Sequence, residues 1–317
     1  MTATVRVYKS TDTSAPVLTG TAGDLVNLLD KCLVAGYGSS TAAGWTKPYT
    51  ATNKAVFYMA TGTPRMYLDV DDSNAQDARL VGYESMSAVA TGTGPFPTAA
   101  QLSGGLYVRK SNTADATARP WLLIACERAV YLMTGAAQTT YGNTANSDGF
   151  FAFGAFSSYK SGDAYNCFIN AQTAAGSSQS KLALATSVSG DTFAATAGIY
   201  VPRAYTQIGA SLAVSKIVPG TVSGTTAGTY GGAYPDPITG GFRLARMLIC
   251  EPDGGGKVIE RGYMPGLWGA MHNLPAAYFD TFSGSGALAG KSFILPPAYN
   301  GASAGRVALE YAGSWDL

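Results

Sequence analysis

The chain has 317 residues, with 21 Lys and Arg against 20 Asp and Glu, a formal net charge of +1. Charged residues make up only 13%, about half the ~25% of an average soluble domain. There is no basic field to hold a phosphate backbone, so nucleic acid is not expected as a partner. Hydrophobic residues reach 46%, enough to bury a real core. The surface must then be covered by Ser, Thr, Ala, Gly and Tyr. Such a surface is poorly defended against association, and it suits a protein packed against neighbours, because interface cores are poor in charge and rich in aromatics.

The N-terminal MTATVRVYKS has no apolar stretch of the kind a secretory signal needs. No apolar run approaches the ~18 residues of a membrane span, so no membrane is expected. Cys32, Cys126, Cys167 and Cys250 are far apart and form no CxxC pair. They read as free buried thiols of a protein made in a reducing cytoplasm.

Residues 4–9 alternate Val5 and Val7 with Arg6 and Tyr8, a first strand. Leu25, Leu28, Leu29, Cys32 and Leu33 then fall on one face of a helix, the strongest helical pattern in the chain. Thr21 with Asp24 forms a candidate capping box, and Gly36 suits the helix end. Residues 55–60 and 65–71 read as strands. In the second, Met66, Leu68 and Val70 face one way, and Tyr67, Asp69 and Asp71 the other. Residues 81–86 extend the sheet, residues 92–97 form a rigid loop with an exposed Phe96, and residues 105–110 are another short strand.

Residues 120–134, PWLLIACERAVYLMT, hold two dense apolar runs interrupted only by Glu127 and Arg128. A charged pair between such runs reads as a tight turn between two buried strands. One helix through the core would also fit, but Pro120 and the short runs favour strands. Residues 135–149 are polar and turn-rich, a seam between lobes. Residues 150–159, 164–171, 181–187, 198–201 and 212–218 resume β-type composition. Residues 219–241, rich in Gly, Thr, Tyr and Pro, read as an arm lying on a neighbouring subunit. Residues 251–256, EPDGGG, form a hairpin turn between strands at 242–250 and 257–263. The last strand, 306–311, puts Val307, Leu309 and Tyr311 on one face.

Several stretches imitate catalytic motifs. Residues 301–305, GASAG, match a nucleophile elbow around Ser303. The only histidine, His272, precedes it, whereas the elbow needs acid and His after it in the chain. Residues 285–292, SGALAGKS, fall one Gly short of a phosphate loop, and a strand rather than a helix follows Lys291. Asp69, Asp71, Asp72 and Asp77 form the only acidic cluster. Asn74 and Leu80 occupy the Gly and Glu positions of a calcium loop, so an EF-hand is excluded. An irregular cation site at Asp69, Asp71 and Asp72, or a glycosidase carboxylate pair at Asp69 and Asp71, stays open beside a solvated strand end. One His without Cys or acid nearby cannot build a zinc site. Tyr37, Trp45, Tyr49, Phe96 and Trp268 lie in expected loops and could stack on sugars or anchor an interface. Tyr230 and Tyr234, in the arm, join the interface candidates.

The segments AGDLVNLLDKCLVAGYGS, AAGWTKPYTATNKAVFY, GYESM with TGTGPFPT, RKSNTADATARPWLLIA, YMPGLWGAMHN and DTFSGSGALAGKSFI resemble virion structural proteins of tailed bacteriophages. The resemblance spans most of the chain and carries no catalytic signature. It implies a particle component of the tail, baseplate or neck, assembled in the host cytoplasm, with no enzymatic role and no cofactor. Its implied partners are other virion proteins and copies of itself. A host-receptor or glycan-binding module and a capsid decoration protein are the alternatives. The expected fold is mainly β and sandwich-like. It is expected to comprise an α+β N-terminal lobe (1–134) with one amphipathic helix, a connecting loop (135–149) and a mainly-β C-terminal lobe (150–317).

Overall fold

The computed structural model describes residues 2–140, 149–176, 197–217, 235–238, 240–241, 243–255, 257–270, 279–295 and 307–317. Tyr230, Tyr234, His272, Ser303, the strand expected at 181–187 and most of the 219–241 arm lie outside them.

The N-terminal region runs β1 (Thr2–Thr4), β2 (Arg6–Lys9), the helix α1 (Asp24–Leu29) with a wider π-helical continuation (Asp30–Ala35), then β3 (Thr46–Ala51), β4 (Lys54–Tyr58), β5 (Tyr67–Asp71), β6 (Asp77–Ala88), β7 (Thr91–Phe96) and β8 (Leu106–Arg109). The middle holds β9 (Trp121–Cys126), β10 (Ala129–Thr134), β11 (Gly149–Ala155), β12 (Ser157–Ser158), β13 (Cys167–Gln172), β14 (Ala197–Val201), β15 (Leu212–Ala213) and β16 (Ser215–Ile217). The C-terminal region holds β17 (Leu244–Pro252), β18 (Val258–Ala270), β19 (Thr281–Ser283), β20 (Ser292–Ile294), β21 (Val307–Ala312) and β22 (Ser314–Asp316).

The fold is mainly β and antiparallel. One large sheet has the order β2-β9-β10-β11-β13-β8-β6-β5-β4-β3, with β14 and β15 branching from β13 and β7 lying on β6. A second sheet runs β16-β17-β18-β21-β20-β19, with β12 on β18, and β1 pairs with β22. The hairpin expected at 120–134 is present. Cys126 faces Ala129 across the two-residue turn Glu127-Arg128, and every residue of both strands is buried.

The residues of these two strands divide between two cores by simple alternation. Trp121, Leu123, Ala125, Val130 and Leu132 join a core that also takes Phe57, Leu68, Leu80 and Val108 from the far strands of the same sheet. The large sheet therefore curls around one apolar interior, and Leu25, Leu28, Leu29, Cys32 and Leu33 of the helical segment fill it. Leu122, Ile124, Cys126, Ala129, Tyr131 and Met133 point the other way, onto Met247, Ile249, Leu267 and Leu309 of the second sheet. A strand buried on both faces reads as an unbroken apolar run rather than as alternation.

Three local expectations change. The seam expected at 135–149 does not divide the molecule into separate sheets, because β10 and β11 pair directly across it, from Ala129↔Gly154 to Thr134↔Gly149. The Thr21–Asp24 capping box is replaced: Gly23 occupies the cap, and the Thr21 hydroxyl lies 2.9 Å from the Asp24 carboxylate. The open amides of Leu25 and Val26 instead donate to Asp72 Oδ2, at 2.7 and 3.4 Å. Phe96 is not in an exposed loop but closes β7, fully buried. Its ring lies against Gly82 of β6, where any Cβ would overlap it.

Candidate functional site

The structure disperses the residues singled out as candidate sites. Trp45 is buried, donates its indole N–H to Cys126 O at 2.8 Å and tilts against Phe153. Phe96 stacks on Phe153, and Trp268 meets Phe293 edge-on. Tyr37 is buried, with its hydroxyl on Asp12 at 2.7 Å. Tyr49 is half-buried and bonds Met86 O at 3.1 Å. These rings are core and strand anchors, not a stacking platform. Tyr37, Trp45 and Tyr49 can sit inward because each finds a partner for its polar tip.

The acidic cluster is likewise taken apart into separate structural roles. Asp71 pairs with Lys54 at 2.7 Å and Asp77 with Arg109 at 2.7 Å. Asp72 and Lys110 form a fully buried ion pair at the start of α1. Asp69 is buried, accepts the Ala90 amide at 3.3 Å and lies 3.7 Å from Arg79. Burial pushes the Asp69 carboxyl above its ordinary range, against the pull of the Ala90 amide and Arg79. Burial acts the same way on Asp71, but bonds from Lys54 and Ser73 outweigh it and hold that group low. The split between the two acids is of the kind a glycosidase uses, yet Asp69 is covered by the β6–β7 turn and cannot meet a substrate. Among the described residues, no group of three or more His, Cys, Asp or Glu gathers into a metal site.

The phosphate-loop imitation forms one short turn, Gly286–Leu288, beside a pocket of about 490 Å³. Its Lys291 is committed to Glu310 at 2.7 Å. All four cysteines are free and buried. Burial pushes Cys126 and Cys250 up to about 12 and raises Cys32 and Cys167 further, so none is a nucleophile at neutral pH.

The residues that do converge lie where the tip of the central hairpin meets the second sheet. Arg128 occupies the turn between β9 and β10, and its carbonyl accepts the Ala155 amide at 2.8 Å. Its side chain folds under the loop before β5, and Nη2 donates to Thr63 O. It borders a pocket of about 560 Å³ with Ser157, Lys160, Asp163, Asn166 and Tyr263. Burial lowers the proton affinity of the Arg128 guanidinium from its usual value.

Asp163, on the wall of this pocket, belongs to an ionic network that runs behind it. Arg261 of β18 grips Asp163 with Nε and Nη2, both at 3.1 Å, and reaches Glu251 with Nη1 at 2.6 Å. All three side chains are almost fully buried. Arg203 continues the chain, bidentate on Glu84 at 2.7 Å and 4.3 Å over the Tyr165 ring. The network joins β6, the 160–166 loop, the 203–207 segment and the β17–β18 hairpin. Sequence reading missed it and Arg128 alike. The available signal was the Glu260-Arg261 pair inside the otherwise uncharged β18 in a chain so short of charge. No family model and no curated protein matches the chain.

Proposed function

We propose that the chain is a structural component of a tailed-bacteriophage particle, at the tail, baseplate or neck, working by multi-copy assembly. The resemblance described above suggests the particle, and the disposition of charge supports assembly. Twelve charged side chains of the described residues are buried, so the outer surface is poorer in ions than the composition implies. Tyr159, Tyr205 and Ile208 are exposed, Ile208 at 75%.

The observation that carries the proposal is how the two tyrosines are held. Tyr159 is tied by its amide to Arg261 O at 2.8 Å, and Tyr205 to the Glu251 carboxylate at 2.9 Å. Large aromatic side chains fixed on a rigid frame lose little entropy on docking and make good interface anchors. A second copy is the expected occupant.

Light scattering of the purified chain across concentration and salt tests this. Association should grow with concentration, persist at high salt because it is apolar, and be lost in the Tyr205→Glu, Ile208→Glu variant. Mass spectrometry of purified particles should find the chain in many copies. A lone monomer at every concentration, absent from particles, would overturn the proposal.

A further inference from the structure

Five cations are buried among the described residues: Arg109, Lys110, Arg119, Arg128 and Arg261. Four have a carboxylate partner: Asp77, Asp72, Asp115 and, for Arg261, both Asp163 and Glu251. Arg128 is the exception. It is 4% exposed, its side chain donates to the neutral Thr63 carbonyl, and its Nε is enclosed without an acceptor. A buried charge left without a counter-ion is costly, and a fold keeps one only where something compensates it.

The compensation has a place to sit, because Arg128 lines the pocket of about 560 Å³ at the hairpin tip. That volume suits a small ligand. We propose that this pocket is an oxyanion site that takes a carboxylate group as the counter-ion Arg128 lacks. Exposed Lys160 supplies a second cation on the wall, and Tyr263 lines it with an aromatic side chain. Asp163 and Asp316 also face the pocket, each already held by an arginine: Arg261 at 3.1 Å and Arg246 at 3.4 Å. Those carboxylates leave room for one more negative charge beside the guanidinium but repel two on a single headgroup, so a carboxylate, with one charge per group, fits better than phosphate. The planar guanidinium fork matches it as well. The carboxylate can arrive on a small molecule or on an acidic side chain of an adjoining copy.

The full chain is compared with Arg128→Met and Arg128→Lys by thermal unfolding in acetate, succinate or inorganic phosphate, with ionic strength held constant by chloride. The wild-type midpoint should climb with the logarithm of acetate or succinate concentration, and less with phosphate. Arg128→Met should unfold no earlier than wild type in plain chloride, because it removes an unpaired charge, and should lose the carboxylate response. Arg128→Lys should bind roughly tenfold more weakly. Should Arg128→Met not fold, the Arg128→Lys comparison carries the same test. If the anions leave the wild-type midpoint unmoved but succinate or Arg128→Lys weakens self-association in the ultracentrifuge, the carboxylate comes from an adjoining copy and the site stands. The proposal is overturned if carboxylates shift wild type and variants alike, or affect neither midpoint nor association.

Discussion

Asp69 shows how one residue's setting reverses the meaning of its chemistry. An acid on the polar face of a strand invites a catalytic or cation-binding reading. In the fold it is enclosed, with Oδ2 lacking any hydrogen-bond donor. Its raised proton affinity means that the folded chain holds a proton there more readily than the unfolded chain does. Stability from this carboxyl is therefore fullest below the unfolded pKa near 3.8 and declines as pH rises through the higher folded value. Asp69→Asn keeps an acceptor for the Ala90 amide and removes the charge. Urea unfolding should find the variant more stable than wild type at pH 7, by about 1 kcal/mol, and no more stable at pH 3. A loss of stability at pH 7 would mean that the attraction of Arg79 outweighs burial.

At the scale of an element, α1 depends on a residue 47 positions away from Leu25. The first amides of a helix have no partner within it, and here the Asp72 carboxylate receives two of them. The same carboxylate pairs with Lys110, whose Nζ also donates to Thr21 O at 2.7 Å. One side chain thus binds the helix start to β5 and to the segment after β8. Asp72→Ala removes the cap and strands a fully buried ammonium, and should cost about 3–5 kcal/mol in equilibrium unfolding. A loss below about 1 kcal/mol, the size of an ordinary cap, would mean that Lys110 finds water or another acceptor.

At the scale of the whole molecule, the two sheets are joined in two ways. The apolar core between them is non-directional. The Arg261 network is directional and sets how the β17–β18 hairpin sits on the 160–166 loop. Asp163→Ala leaves Arg261 with Glu251 as its one carboxylate partner, beside the Arg203 and Tyr165 carbonyls, and should cost about 3 kcal/mol or more. Because Tyr205 and Tyr159 hang from the same network, the variant should also loosen self-association even at temperatures where it remains folded. Unfolding and light scattering on one preparation check both, and undisturbed association would separate the exposed tyrosines from the network that holds them.

Much of this was legible in the chain itself. The helix face, the hairpin at 120–134, the β17–β18 hairpin and β21 follow from local patterning, because burial on one face or two leaves its period in the residues, whereas β22 carried no such pattern. The four cysteines sit in the core as their apolar neighbours suggest. What the linear chain could not decide is where polar side chains find partners, since those partners lie 47 residues away for Leu25 and Asp72, 65 for Arg128 and Thr63, and 98 for Arg261 and Asp163. Composition therefore set the class of fold and the scarcity of surface charge. Only tertiary contact decided that Trp45, Phe96 and Trp268 are core, that the acidic cluster is a set of ties, and that Arg128, among the buried arginines of the described residues, is left facing a pocket without a carboxylate partner.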